Sequence, residues 1–121
     1  MASNDQKPQR LFQWTVCAYK KEGMDDEEYH KYLGEKHGPL TAPFLAKYGI
    51  LKHTVVHNTT ETKKLMAKIA GPDYDNFADY DCFVQCIFRD VEDFVRFQQD
   101  PAYATILAPD HDNFADTTKS N

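Results

Sequence analysis

LFQWTVCAY, residues 11–19, and its later counterpart YDCFVQCIF, residues 80–88, decide the fold. In the first, alternation puts Phe12, Trp14, Val16 and Ala18 on one face and Leu11, Gln13, Thr15, Cys17 and Tyr19 on the other. In the second, Tyr80, Cys82, Val84, Cys86 and Phe88 share a face. Period-two spacing with β-branched and aromatic residues predicts strands. Each run is followed by a helix with an acidic start, which suits the positive end of the helix dipole. Asp25-Asp26-Glu27-Glu28 opens a helix to residue 36, in which Tyr29, Tyr32, Leu33 and Lys36 fall on one side. Asp90 caps a helix over 91–99 whose stripe is Val91, Phe94 and Val95. A Pro-marked short segment follows each helix, so the chain carries a weak internal repeat.

Working outward, His37-Gly38-Pro39 predicts the end of the first helix, with Gly at the residue beyond it and Pro after that. A short helix over 40–48 ends at Gly49, and ILKHTVVHN, residues 50–58, is a further strand with Leu51, His53, Val55 and His57 on one face. Residues 59–70 suit a helix stopped by Gly71-Pro72, and an acidic loop fills 73–79. Asp100-Pro101 starts another short helix, Ala108 to His111 is a turn, and 113–117 is a short fourth strand. The expected organisation is a flexible tail over 1–10, one α+β domain over 11–117 and a tail over 118–121. Two strand–helix units without a linker predict the ferredoxin-like, split βαβ architecture: a four-stranded antiparallel sheet with helices on one face. Its other face needs a cover, which predicts a homodimer packed sheet against sheet.

Composition narrows the function. The chain of 121 residues is one domain's worth, with 14 Lys and Arg against 19 Asp and Glu, a formal charge of -5. An acidic balance argues against a nucleic-acid surface or a polybasic membrane anchor. No apolar run nears the roughly 18 residues of a membrane span. The polar N-terminus does not read as a signal peptide, and three cysteines, Cys17, Cys82 and Cys86, fit free thiols in a reducing, cytoplasmic compartment.

Tyr19-Lys20-Lys21 to Met24, Glu28-Tyr29 and His37-Gly38-Pro39-Leu40 resemble the start of an EthD-type domain. Asp100-Pro101-Ala102-Tyr103 and Pro109-Asp110-His111 through Phe114-Ala115-Asp116 resemble the same domain's end. The resemblance covers residues 12–117. It implies a dimeric α+β barrel and a fungal enzyme that tailors an aromatic polyketide without a cofactor. The expected class is a lyase, a decarboxylase or dehydratase. The runner-up is a cofactor-free oxygenase of anthrone-like phenols, and a third reading is a non-catalytic small-molecule-binding or stress protein of the same fold.

Five histidines are the main chemical clue, because imidazole titrates nearest neutral pH. His37, at the expected helix end, is the leading acid/base candidate; its bland alternative is a contact with the helix dipole. His111, flanked by Asp110 and Asp112, is expected to carry charge and orient a carboxylate or phenol, a role Tyr48 can share. His53 and His57 share a strand face, either the pocket side or the dimer side, and four residues apart they are poor joint ligands for a metal. No metal site is expected, and His30 reads as exposed. Substrate contacts are assigned to His53, Phe44, Trp14 and Tyr103, since a flat polycyclic ligand wants aromatic walls. The only serines are Ser3 and Ser120, both in the tails, so nucleophilic catalysis by serine has no candidate.

Overall fold

The computed structural model describes residues 10–70 and 78–119. Its strands are β1 (Phe12–Ala18), β2 (Lys52–His57) and β3 (Cys82–Phe88). They form one antiparallel sheet in the order β1-β3-β2, so β1 and β2 flank β3 and run parallel to each other, a split βαβ arrangement. The register aligns Trp14, Cys86 and His53 in one row, Val16, Val84 and Val55 in the next, and Ala18, Cys82 and His57 in the third. Because side chains alternate, these three rows make one face.

Helices α1 (Asp26–Tyr32), α2 (Gly38–Lys47) and α4 (Val91–Gln99) supply the residues that cover that face. One core cluster joins Tyr29 and Leu33 to Ala18, Cys82 and Phe114; a second joins Leu45 and Phe97 to Cys86, Phe88 and Leu107. Cys82 and Cys86 are buried and unbridged, and burial pushes the Cys86 thiol up to about 11. Helix α4 starts as its sequence asks: Asp90 Oδ1 accepts from the Glu92 N–H at 2.9 Å, a cap worth about 1 kcal/mol. Helix α3 (Thr60–Ala70) leaves Leu65, Met66 and Ile69 at 50%, 51% and 77% exposure. No helix among the described residues is long and apolar enough to cross a membrane.

The expected fourth strand is absent from the sheet. A 3₁₀ turn occupies His111–Asn113, and a single bridge pairs Ala115 with Lys20. The backbone makes two bonds there, Lys21 N to Phe114 O at 2.7 Å and Asp116 N to Tyr19 O at 3.0 Å. Then Asp116 Oδ1 accepts from the Thr118 N–H at 3.0 Å and the Lys119 N–H at 3.2 Å, which turns the chain away before pairing can extend. Among the described residues the sheet therefore has three strands, not four. Most of the expected N-terminal tail, the Gly71-Pro72 stop, most of the acidic loop and the last two residues lie outside the described residues.

His37-Gly38-Pro39 does not end a helix either. Leu33–His37 forms a π-helical turn and α2 follows directly, with Gly38 in the right-handed helical region. Gly38 N–H reaches back five residues to Leu33 O. The same device recurs in the second half: Tyr103–Leu107 is a π turn, Ala108 N–H reaches Tyr103 O, and Pro109 sits in the short helix α5 (Ala108–Asp110). Proline lacks an N–H and crowds the carbonyl four residues back, so a widened turn lets the rod continue where an α-helix would break. A Cβ at residue 38 would lie 3.0 Å from Leu33 O, which is why a glycine fits there.

Candidate active site

Between the sheet and its helices lies a cavity of about 420 Å³. Its floor is the inward row face of the strands, including Trp14, His53 and Val84; its roof comes from the two π turns, α4 and the segment after α5. The walls are mainly aliphatic and aromatic, and no Lys, Arg, Asp or Glu of the described residues lines them. Three histidines do: His37, His53 and His111.

His37 is the last residue of the first π turn and is 9% exposed. Its ring packs 4.6 Å from the His111 ring and 4.7 Å from the Phe114 ring, centroid to centroid. Nδ1 donates to Asp110 Oδ2 at 2.8 Å. The other carboxylate oxygen, Oδ1, accepts from the Tyr32 hydroxyl at 2.5 Å and from Asn113 Nδ2 at 2.9 Å. Burial opposes charge on Asp110, yet the bonds from Tyr32, His37 and Asn113 hold its carboxyl below the usual carboxylate range. Burial pushes His37 down from its ordinary value; Asp110 works against that, and His111 and His53 add to it. At neutral pH His37 is thus a neutral imidazole with its proton on Nδ1 and a lone pair on Nε2.

His111 holds itself by donating from Nδ1 to Ala108 O at 3.0 Å. Asp110 lies next to it in sequence but turns its carboxylate to His37 instead. Burial pushes His53 down from its ordinary value, and its imidazole has no hydrogen-bond partner among the described residues and stands open to a ligand. Its face is the pocket side. His57 shares that face but is capped by His30, the two Nδ1 atoms lying 2.8 Å apart. His30 is therefore half-buried, not solvated, with its other nitrogen 3.4 Å from Asp26. Among the described residues no group of three or more His, Cys, Asp or Glu is placed to hold a metal.

Of the residues singled out from sequence, His37, His111, His53, Trp14 and Tyr103 meet around one cavity. Tyr48 and Phe44 do not line it. The Tyr48 hydroxyl donates to Asp100 Oδ2 at 2.6 Å, and Phe44 packs on the second core cluster. Three contributors were not singled out: Tyr32 and Asn113, and Asp110 in its role toward His37. Asn113 and Asp110 are three residues apart, but their contacts with Tyr32 and His37 span 73 to 81 residues, which local spacing does not signal.

Residues 21–118 match the EthD domain family. The chain belongs to that family. Among its relatives, a decarboxylase of Emericella nidulans is 46% identical over 118 residues, covering 92% of this chain and 73% of the relative. A dehydratase of Gibberella zeae is 41% identical, covering 94% of this chain and 75% of the relative. A conidial pigment biosynthesis dehydratase of Metarhizium robertsii is 38% identical, covering 94% and 80%. The EthD match begins after β1 and ends past Phe114, so it takes in all three cavity histidines and Asp110.

Proposed function

We propose that this EthD-domain chain is a cofactor-independent lyase that removes carbon dioxide, or water, from an aromatic polyketide intermediate. The observation that carries the reading is His37 Nε2, free on a ring anchored by Asp110, at an apolar cavity without a fixed cation. The names of its fungal relatives, decarboxylase and dehydratase, support the same class.

In the decarboxylation, a β-keto or polyphenolic acid enters with its carboxyl proton, because no Lys or Arg among the described residues lines the cavity to neutralise a carboxylate. His37 Nε2 takes that proton. The carbon–carbon bond breaks, its electron pair forms the enolate, and carbon dioxide leaves. The enolate oxygen accepts a hydrogen bond from the imidazole N–H of His53, whose ring has no other hydrogen-bond partner among the described residues. The His37 imidazolium returns the proton to carbon. In the dehydration, Nε2 takes a proton beside a carbonyl and the departing hydroxide collects it as water. Both routes start from neutral His37 and pass through an enolate, so one site serves either. Trp14 and Tyr103 flank a flat ring system.

The test is direct. Purified protein incubated without oxygen with aromatic β-keto acids and β-hydroxy ketones should give products lighter by carbon dioxide or by water. Turnover that needs oxygen, or none with any of these substrates, rejects the lyase.

The pH profile follows from the direction of the His37 shift. Neutral His37 is the active form and its value in the folded chain lies below the ordinary 6.5. The acid limb of kcat/KM should therefore be centred below that value, with a plateau through neutrality. Stability has the same sign. Between the folded and unfolded values the unfolded chain binds more protons, so stability falls as pH drops through that window. An acid limb centred above the ordinary histidine value contradicts the assignment.

The active form is a homodimer. The sheet face away from the cavity, with Val56 at 43% exposure, and the apolar side of α3 supply the surface. Scattering at micromolar concentration should give twice the mass of one chain; a monomer at that concentration excludes it.

A further inference from the structure

We propose that Asp110 is the positioning residue that selects the tautomer of His37, and that its own orientation is set by Tyr32 and Asn113. The proposal rests on the acid/base reading of His37 given above. The geometry is a relay across both halves of the chain. Oδ1 of Asp110 takes two donors, Tyr32 Oη at 2.5 Å and Asn113 Nδ2 at 2.9 Å, and these two groups are themselves 3.3 Å apart. With Oδ1 committed, Oδ2 is the atom left for His37, 2.8 Å away. A carboxylate only accepts, so the proton sits on Nδ1 and the lone pair on Nε2. Thr41 Oγ1 bonds the His37 carbonyl at 2.5 Å and steadies the backbone that carries the ring.

An amide at residue 110 reads the same frame differently. In Asp110→Asn, the position of Oδ1 still receives donors from Tyr32 and Asn113. The arrangement that keeps both in place puts the amide oxygen there and turns the NH₂ toward His37. Nδ1 must then accept, the proton moves to Nε2, and the base becomes a donor. Replacing the carboxylate partner of a catalytic histidine by its amide is known to cost about 10⁴ in turnover when it traps the wrong tautomer. The same loss is expected here, on the order of 10³–10⁴-fold in kcat.

The frame also predicts a rescue. In Asp110→Asn/Asn113→Asp, residue 113 becomes an acceptor. It draws the NH₂ of residue 110 to itself, Tyr32 turns its hydroxyl to the new carboxylate, and the amide oxygen faces His37. The Nδ1–H tautomer is restored although the charge has moved. A purely structural role for Asp110 gives no reason for such a recovery.

Nitrogen-15 spectra of the imidazole rings in the labelled full chain at neutral pH read the tautomer without any substrate. The expected result is Nδ1–H for His37 in the wild type, Nε2–H in Asp110→Asn and Nδ1–H again in the double variant, with turnover following the same order. A wild-type His37 protonated at Nε2 overturns the proposal, and that measurement does not depend on any variant folding. A folded Asp110→Asn that keeps Nδ1–H, or a folded double variant that keeps Nε2–H, overturns it too. If the tautomers switch as described while the wild type turns over none of the lyase substrates, the lyase reading fails and the positioning role stands.

Discussion

Replacing His37 by Gln should cut turnover by about 10²–10⁴-fold, the usual range for removing a general acid or base. Gln suits the test because it occupies a similar reach without being able to carry a proton at neutral pH. Its amide NH₂ can still donate to Asp110, so the carboxylate keeps a partner and the local frame survives. The ring contacts with His111 and Phe114 are lost, at 4.6 Å and 4.7 Å between centroids, which is a packing loss on one side of a buried residue. Thermal unfolding of the variant should therefore stay cooperative. Comparison of kcat and KM separates the roles: a proton-transfer group lowers kcat, and a group that merely holds the substrate raises KM. Near-normal turnover in a folded Gln variant would move the proton transfer to His53 or His111.

Phe88→Ala should destabilise the chain by about 3–5 kcal/mol, the range for an aromatic residue deleted from a packed core. Phe88 ends β3 and is 4% exposed. Its ring faces Phe12 across the strand pair at 6.2 Å and Phe94 of α4 at 5.5 Å, so it ties the sheet to the helix layer. Domains hold only about 5–15 kcal/mol in all, and the loss is a large share of that. Denaturant titration should show a lower midpoint with little change in slope. Because Phe88 does not line the cavity, the folded fraction should keep its activity. A midpoint within experimental error of the wild type would show that the sheet–helix seam is held elsewhere.

The strands were legible because alternation is local. Trp14, Val16 and Ala18, then Cys82, Val84 and Cys86, carry their shared face in their spacing, while their register across the sheet comes from the strand pairing alone. The α+β class and the helices after β1 and β3 were legible for the same reason, through acidic starts and the Asp90 cap. His37-Gly38-Pro39 misled because glycine and proline are ordinary stop signals, and only packing on the sheet decides that the helix goes on. Residues 113–117 stop short of a fourth strand because Asp116 ends pairing after one bridge. The Asp110 partnership was hidden by adjacency: flanking His111 in sequence, it serves a histidine from the other half. Tyr48, beside Gly49, looked poised for a pocket, but Asp100 from the far half claims its hydroxyl and holds its phenol above the ordinary value.

The two π turns set the rotational phase of everything that follows them. Tyr29, Leu33, His37, Thr41 and Leu45 recur every fourth residue, and all are buried or line the cavity. Tyr103, Leu107 and His111 repeat the rhythm in the second half, again all along the cavity. In a straight α-helix four residues overshoot a full turn by about 40°, so five such positions would drift round to the solvent side. Each π turn takes up about one extra residue and winds the drift back. The beat of four is thus a timing signal in the sequence, and Glu35 and Lys36, both exposed, matter by being counted and not by what their side chains touch. A one-residue deletion there turns the rod by about 100° and carries His37 away from Asp110, with no buried side chain altered.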